Sequence, residues 1–535
     1  MRHISTRLFR YLLIARMPAL ALGVLAVAAL ASGGVTSLRN GGTGARATAP
    51  VASFTFGTEN SWIRVQNIGA VAANVTVTYY NEGGSQAGQD GCPTTACAAI
   101  GPGQGWTFFQ EGNPQLPAGY KGSAVVESDQ PIVALQAKDV RRNGAFMVDG
   151  NTTTILAGSS KMFLPLIANR DGPQNDWNGR FALQNLSDTV TACVTLTYLS
   201  NNTDGEIAWD PYKLGDSTGP KQQGCPNGGR PIPPHGTLFR DPDTFGLPAN
   251  FTGSVRIETS KNSQNVPAEQ QLLTATADTW NSIYNPFASY RAIDNIEMST
   301  TVLLPLVDRQ VGPFNGFSTR FQIENKDPSK PAQVTIRFEG YDLDNNLAFV
   351  AKQNTLTVKG ARLCFQDRDD YANCLVPGDA LPHNFVGTAR LTSTQPIGVI
   401  TSRATRYADT FTNYRAFRPE DGSTKVLLPV LNKNYGPYNG HAGWNSWFRV
   451  LVADGGEANV RIRYIGLDLP GGEVSYTMHA QREFTVFQPQ EDILPNGFAG
   501  TAILESDRPI VALGNLSTDV FTGDTDLLYN GVPLP

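Results

Sequence analysis

Apolar side chains recur at alternate positions in short runs along most of the chain. The clearest are Val75, Val77 and Tyr79; Val194, Leu196 and Tyr198; Val334, Ile336 and Phe338; and Val460, Ile462 and Tyr464. Polar residues stand between them, such as Thr76 and Thr78 or Arg461 and Arg463. A period of two with one polar face specifies a half-buried strand of an antiparallel sheet. Shortly before each lies another strand-like run: Trp62–Asn67, Phe181–Asn185, Phe321–Asn325 and Trp447–Val450. The two runs read as a hairpin at the front of each repeat.

A second unit fixes the repeat. Leu-Pro-x-x-aromatic-x-Gly-Ser/Thr-Ala/Val runs from Leu116 to Ala124, Leu247 to Val255, Leu381 to Ala389 and Leu494 to Ala502. Further strands follow: Pro131–Leu135, Pro396–Ile400 and Pro509–Leu513, with Leu272–Ala275 as the equivalent in the second copy, and then short segments at Tyr290, Tyr414 and Tyr529. Proline at the first strand position is tolerated because its missing N–H falls at the end of the ladder. Leu164-Pro165, Leu304-Pro305 and Leu428-Pro429 open the later copies, each followed by a Gly-Pro turn, and the first copy lacks this opening unit.

Self-similarity of this kind decides the architecture. We read residues 1–31 as a signal segment, 32–50 as a flexible Gly/Ser/Thr/Ala linker, and 51–160, 161–300, 301–424 and 425–535 as four tandem repeats. The expected fold class is all-β: four tandem antiparallel β-sandwich (Ig-like) domains. Propeller blades need only about 40–50 residues, fewer than these repeats hold.

The ends and the composition set the compartment. Arg2, Arg7, Arg10 and Arg16 precede or enter an apolar stretch that closes on Ala29-Leu30-Ala31, the pattern of an export signal; an uncleaved anchor is the alternative, although the stretch is short for a spanning helix. Without those four arginines the chain holds 38 basic and 47 acidic residues, a net charge of −9. An acidic chain without a basic run is a poor partner for nucleic acid, and contact with membrane is expected only through the N-terminal segment, if uncleaved. The six cysteines fall as local pairs, Cys92 with Cys97, Cys193 with Cys225 and Cys364 with Cys374, which an oxidising compartment would join as three disulfides. No pair has the CxxC spacing of a zinc site.

The stretch Val65-Gln66-Asn67-Ile68-Gly69 to Val75-Thr76-Val77 resembles the Asn-x-Gly hairpins of bacterial extracellular Ig-like repeats of the CARDB kind. The likeness covers a short part of each copy, and Val452 stands where the asparagine would sit in the fourth. It implies the fold and an extracellular setting, and transfers no functional residue.

Dedicated chemistry is hard to find. There is no Gly-x-Ser-x-Gly, His-Glu-x-x-His or phosphate-binding glycine loop, so no catalytic residue and no cofactor is expected. Paired carboxylates of a glycosidase leave little trace in sequence; Asp367, Asp369 and Asp370, or Asp241 and Asp243, are candidates that also suit turns. Asp342, Asp344 and Asn346 have the spacing of a calcium loop, but Leu347 and Gln353 stand where an EF-hand needs Gly and Glu, and a hairpin turn explains them as well. Trp177 and Trp444, just after the Gly-Pro joins, are the candidate ligand-binding aromatics, with packing between domains as the competing role. These features describe a secreted or surface protein for adhesion, envelope structure or scaffolding, with an envelope or extracellular protein or glycan as partner. A carbohydrate-binding array and a secreted hydrolase are the alternatives.

Overall fold

The computed structural model describes residues 45–51, 58–153, 158–172, 174, 176–201, 212–213, 225–226, 229–241, 247–312, 316–366, 374, 381–405 and 409–534. The expected signal segment lies outside them. The chain is all-β, built of several antiparallel sheets linked by turns and single-turn 3-10 helices. Among the described residues no helix is long and apolar enough to cross a membrane.

Repeat 2 shows the plan. Its opening strand, Lys161–Asn169, pairs with Phe251–Ser260, which pairs on its other edge with the third strand, Ala192–Ser200. The second strand, Trp177–Asn185, lies in the other sheet between Thr237–Arg240 and Leu273–Asn281. Leu273–Asn281 then carries the closing strand, Phe287–Arg291. Phe181, Leu183, Val194, Tyr198, Val255 and Ala275 fill the space between. Matching clusters form around Val65, Val77 and Val126 in repeat 1, Phe321, Ile336 and Leu391 in repeat 3, and Phe448, Ile462 and Leu504 in repeat 4. In repeats 3 and 4 the chain does not break at the expected turn. Phe385–Thr405 and Phe498–Thr518 are continuous, the first half of each pairing in one sheet and the second half in the other.

Two expectations need correction. The second and third strands do not form a hairpin: Thr58–Asn67 pairs with Gly105–Phe109 and Ile132–Arg142, whereas Val75–Asn81 pairs with Gln86–Cys92 and Gly122–Ser128. The Asn-x-Gly segment is a corner between sheets. Buried Asn67 donates to the carbonyls of Val71 and Ile100 and accepts from the Gly69 N–H, satisfying backbone groups that a corner leaves without a ladder partner. Asn185 and Asn325 make the same bonds in repeats 2 and 3. Nor is the expected linker 32–50 free of structure throughout: Ala45–Val51 pairs with Gly122–Ser128 and supplies the opening strand of repeat 1. Its Ala/Thr-rich sequence lacks the Leu-Pro signature, so composition alone assigned it to a tether.

The repeated motifs have backbone causes. The motif glycine lies where two strands approach closely: a Cβ would sit 1.9 Å from the Tyr80 carbonyl at Gly122, 1.9 Å from Leu199 O at Gly253, 2.2 Å from Glu339 O at Gly387 and 2.3 Å from Ile465 O at Gly500. The residue before the motif aromatic has positive φ in every copy, at Gly119, Asn250, Asn384 and Gly497, and glycine and asparagine adopt that conformation at least cost. The opening prolines sit at register shifts, where the lost N–H breaks no ladder bond. There the closing-strand tyrosines donate to the freed carbonyls: Tyr290 to Leu166, Tyr414 to Leu306 and Tyr529 to Val430. Repeat 1 departs from this: its Pro50 pairs with Ser123 without a register shift, and Asn151 stands where the others have the tyrosine.

The repeats do not lie in a row. The closing strand of repeat 1, Ala145–Thr153, packs on Phe287–Arg291, that on Phe411–Arg415, that on Asp526–Asn530, and the last returns to Ala145–Thr153. The four closing strands thus form a ring about one axis. Gly500→Ala should destabilise the chain by about 1–3 kcal/mol through overpacking, whereas Gly112→Ala, with nothing within 4 Å of the added methyl, should change stability by less than about 0.5 kcal/mol. Chemical denaturation of both variants checks this.

Candidate functional site

A closing strand is the edge of its sheet, and an edge exposes unpaired backbone groups. In the ring these edges turn inward, so their N–H groups must find partners away from water. Two aspartates provide them. Asp524 precedes the closing strand of repeat 4 and is buried. Its Oδ2 accepts from the N–H of Phe287 in repeat 2 at 3.0 Å and of Phe411 in repeat 3 at 2.9 Å, and its own carbonyl accepts from Val148 of repeat 1 at 2.9 Å. One residue therefore ties together all four repeats. Asp149 of repeat 1 accepts from Ser289 N–H at 2.6 Å, from Gly150 and from Leu528 of repeat 4. Burial pushes both carboxyls well above the usual carboxylate range, against the backbone donors that favour the charge.

Around the axis lie four seams with different chemistry. Between repeats 1 and 2, Lys138 and Arg180 both bind Asp278, at 2.8 and 2.6 Å, and Arg180 reaches Glu59 at 3.0 Å, all with buried side chains. Burial pushes Glu59 up to about 7, while at Asp278 the two cations overcome burial and hold the carboxyl below its ordinary value. Between repeats 2 and 3, Asn201 and Gln322 exchange amide hydrogen bonds and Arg256 stands 3.9 Å from Glu324. Burial pushes Glu324 up to about 8. Between repeats 3 and 4, Arg449 donates to the Pro305 carbonyl, Asn530 bonds the backbone of Arg415, and Arg482 pairs with Glu339. At the seam between repeats 4 and 1, which no linker joins directly, Val133 meets Leu427, Val532 and Leu534.

The candidate ligand residues fall into these seams. Trp177 packs on Phe411 across the seam of repeats 2 and 3, ring centroids 4.9 Å apart, and the Arg320 guanidinium lies over both rings. Trp444 stands edge-on to Phe146 of repeat 1 at 6.4 Å, and Phe146 in turn packs on Phe521 at 4.6 Å. Both tryptophans thus contact a neighbouring repeat, and both keep part of their surface exposed.

The candidate calcium residues form the turn between Ala332–Asp342 and Leu347–Val358. Asp342 accepts from the N–H groups of Asp344 and Asn345, Asp344 pairs with His383 at 2.8 Å and Asn384 at 2.9 Å, and Asn346 has φ 53°. These contacts close a hairpin. Of the candidate acids, Asp367, Asp369, Asp370 and Asp243 lie outside the described residues; Asp241 stands 3.6 Å from Lys121.

All three expected disulfides are present: Cys92–Cys97, Cys193–Cys225 and Cys364–Cys374. They mark a chain that matures in an oxidising compartment. Sequence reasoning missed Asp149, Asp524, Glu324 and the Lys138–Asp278 pair, because each acts across a junction between repeats.

No protein family matches the chain, and no curated protein does. The solved structures that match include one described as "Crystal structure of tetra-tandem repeat in extending region of large adhesion protein", 10% identical, covering 92% of this chain and 99% of that one, with a TM-score of 0.10.

Asp524→Ala strands two buried N–H groups at about 1–3 kcal/mol each, so a loss of about 2–5 kcal/mol is expected by denaturation, with Asp524→Asn milder because it keeps an acceptor. Glu324 gives a pH test. Below its ordinary pKa both folded and unfolded chains hold the proton; between about 4.5 and about 8 only the folded chain does. Its contribution to stability is therefore complete at the acid end and lost as pH rises through that window. Glu324→Gln should gain stability relative to the parent from pH 5 to pH 8, a parallel pair of melting curves being the contrary result.

Proposed function

We propose that the chain is an exported, non-catalytic protein of four Ig-like β-sandwich domains, working in adhesion, envelope structure or scaffolding outside the cytoplasm. The observation that carries this reading is the closed ring of closing strands. A ring held by buried ion pairs and axial aspartates fixes four sets of loops in one geometry, so weak contacts to an envelope or extracellular protein or glycan add through multivalency. The carboxyls raised furthest above their ordinary pKa, Glu59, Glu324, Asp149 and Asp524, are enclosed between repeats. Antiparallel pairing puts the loops holding Ile283, Tyr284, Tyr438, Leu467 and Phe521 at the same end of their respective sandwiches, and all five residues are exposed. That end is the presenting end.

Carbohydrate binding is the second reading, favoured by Trp444 with Phe146 and the exposed Phe521, since aromatic rings stack on sugar faces. The proposal predicts retention of the mature protein in the envelope or extracellular fraction of its cells and no turnover of polysaccharide or peptide libraries. Glycan-array binding lost on Trp444→Ala or Trp177→Ala would transfer the function to the second reading. Turnover abolished by one carboxylate substitution would make the chain a hydrolase.

A further inference from the structure

Two lysines are buried among the described residues. Lys433 donates to the carbonyls of Glu491 and Leu494, whereas Lys138 meets a carboxylate of another repeat, Asp278. In the next two seams the buried cation is an arginine, Arg256 or Arg449, whose charge is not shed on burial. A lysine differs: burial strips its proton more readily, and the free amine is a nucleophile. At Lys138 burial pulls the ammonium below the ordinary lysine range, against the attraction of Asp278. Neither residue follows from the repeat. Strand register places Thr279, Arg403 and Leu516 where repeat 1 has Lys138, and Ala137, Ser402 and Asn515 where repeat 2 has Asp278.

The two side chains are held for more than an ion pair requires. Lys138 Nζ stands 3.0 Å from Oδ1 and 2.8 Å from Oδ2 of Asp278. Contact with both oxygens keeps Nζ within about 3.3 Å of the carboxyl carbon between them, the separation of a near-attack pair. Arg180 Nε donates to Oδ2 at 2.6 Å, and its Nη2 holds Glu59 at 3.0 Å. All four side chains are at most 3% exposed, so the pair is shielded from bulk water.

We propose that Lys138 and Asp278 condense into an isopeptide bond that joins repeats 1 and 2 covalently. The ion pair is the reactant state. One proton passes from the ammonium to Oδ1, leaving a neutral amine and a neutral acid, which a site without water favours over two charges. Nζ adds to Cγ, and Arg180 stabilises the oxyanion that develops on Oδ2. The Cγ–Oδ1 bond then breaks, and Oδ1 leaves as water with its own proton and the one that Nζ sheds. Glu59, raised by burial to about 7 and within the electrostatic reach of Lys138, carries that proton. Condensation is uphill between dilute reactants, but groups held in contact act at effective concentrations of roughly 10⁵–10⁸ M.

Mass spectrometry of the purified full chain, with its disulfides reduced, tests this. The chain is expected to be lighter than its sequence by about 18 Da, one water. After trypsin, the peptide spanning Lys138 should be uncut there and branched to the peptide that holds Asp278. Lys138→Met should abolish the branch, and Glu59→Gln should reduce it at least tenfold in protein whose circular dichroism is unchanged. Recovery of the parent chain cut at Lys138 and unbranched, or loss of water elsewhere in the chain, overturns the proposal whatever the variants do. Undiminished branching in Glu59→Gln overturns the role given to Glu59.

Discussion

The fold depends on where four sheet edges are put. Each repeat ends on a strand whose outer edge has no further neighbour, and an edge left in water invites uncontrolled pairing. Here the edges are turned toward a common axis, which removes them from solvent but strands their N–H groups. Asp524 and Asp149 resolve that conflict by accepting from Phe287, Phe411 and Ser289. Burying two carboxyl groups is expensive, and the cost is offset because one acceptor serves donors from several repeats. A ring built this way closes or fails as a whole, since Asp524 touches every repeat.

The seams decide the order of the repeats. Contacts around the ring run head to tail, each repeat presenting one surface to the repeat before and a different one to the repeat after. Such contacts close into a ring when the rotation allows. If all four seams had the same chemistry, one repeat could be exchanged for another. Instead, the four seams hold a buried Lys–Asp–Arg–Glu set, an amide pair, an arginine on a proline carbonyl and an aliphatic patch. A mismatched neighbour would leave a charge such as Lys138 buried without a partner, which is strongly disfavoured.

Much of the strand plan is legible in the sequence because its causes are local. Gly122, Gly253, Gly387 and Gly500 stand where a methyl would strike a carbonyl. Asn250 and Asn384 alternate with glycine at a positive φ, and Tyr290, Tyr414 and Tyr529 recur because each caps the same bulge. The corner at Asn67 was misread as a hairpin because alternation fixes which face of a strand is buried, and not which sheet it joins. Ala45–Val51 was missed for a related reason: an edge strand held by backbone pairing needs little apolar signature. The ring was illegible, since Asp149, Glu324 and Lys138 act through residues more than a hundred positions away or in another repeat.

Departures from the repeat are therefore more informative about function than the repeat itself. Where copies agree, the residue answers a demand of the strand plan that every copy shares. Where one copy differs, the demand comes from its place in the ring: Asp149 of repeat 1 accepts from Ser289 and Leu528 of its two neighbours, and Gly103 meets Ile465 where His235 meets Tyr80 on the other side of repeat 1.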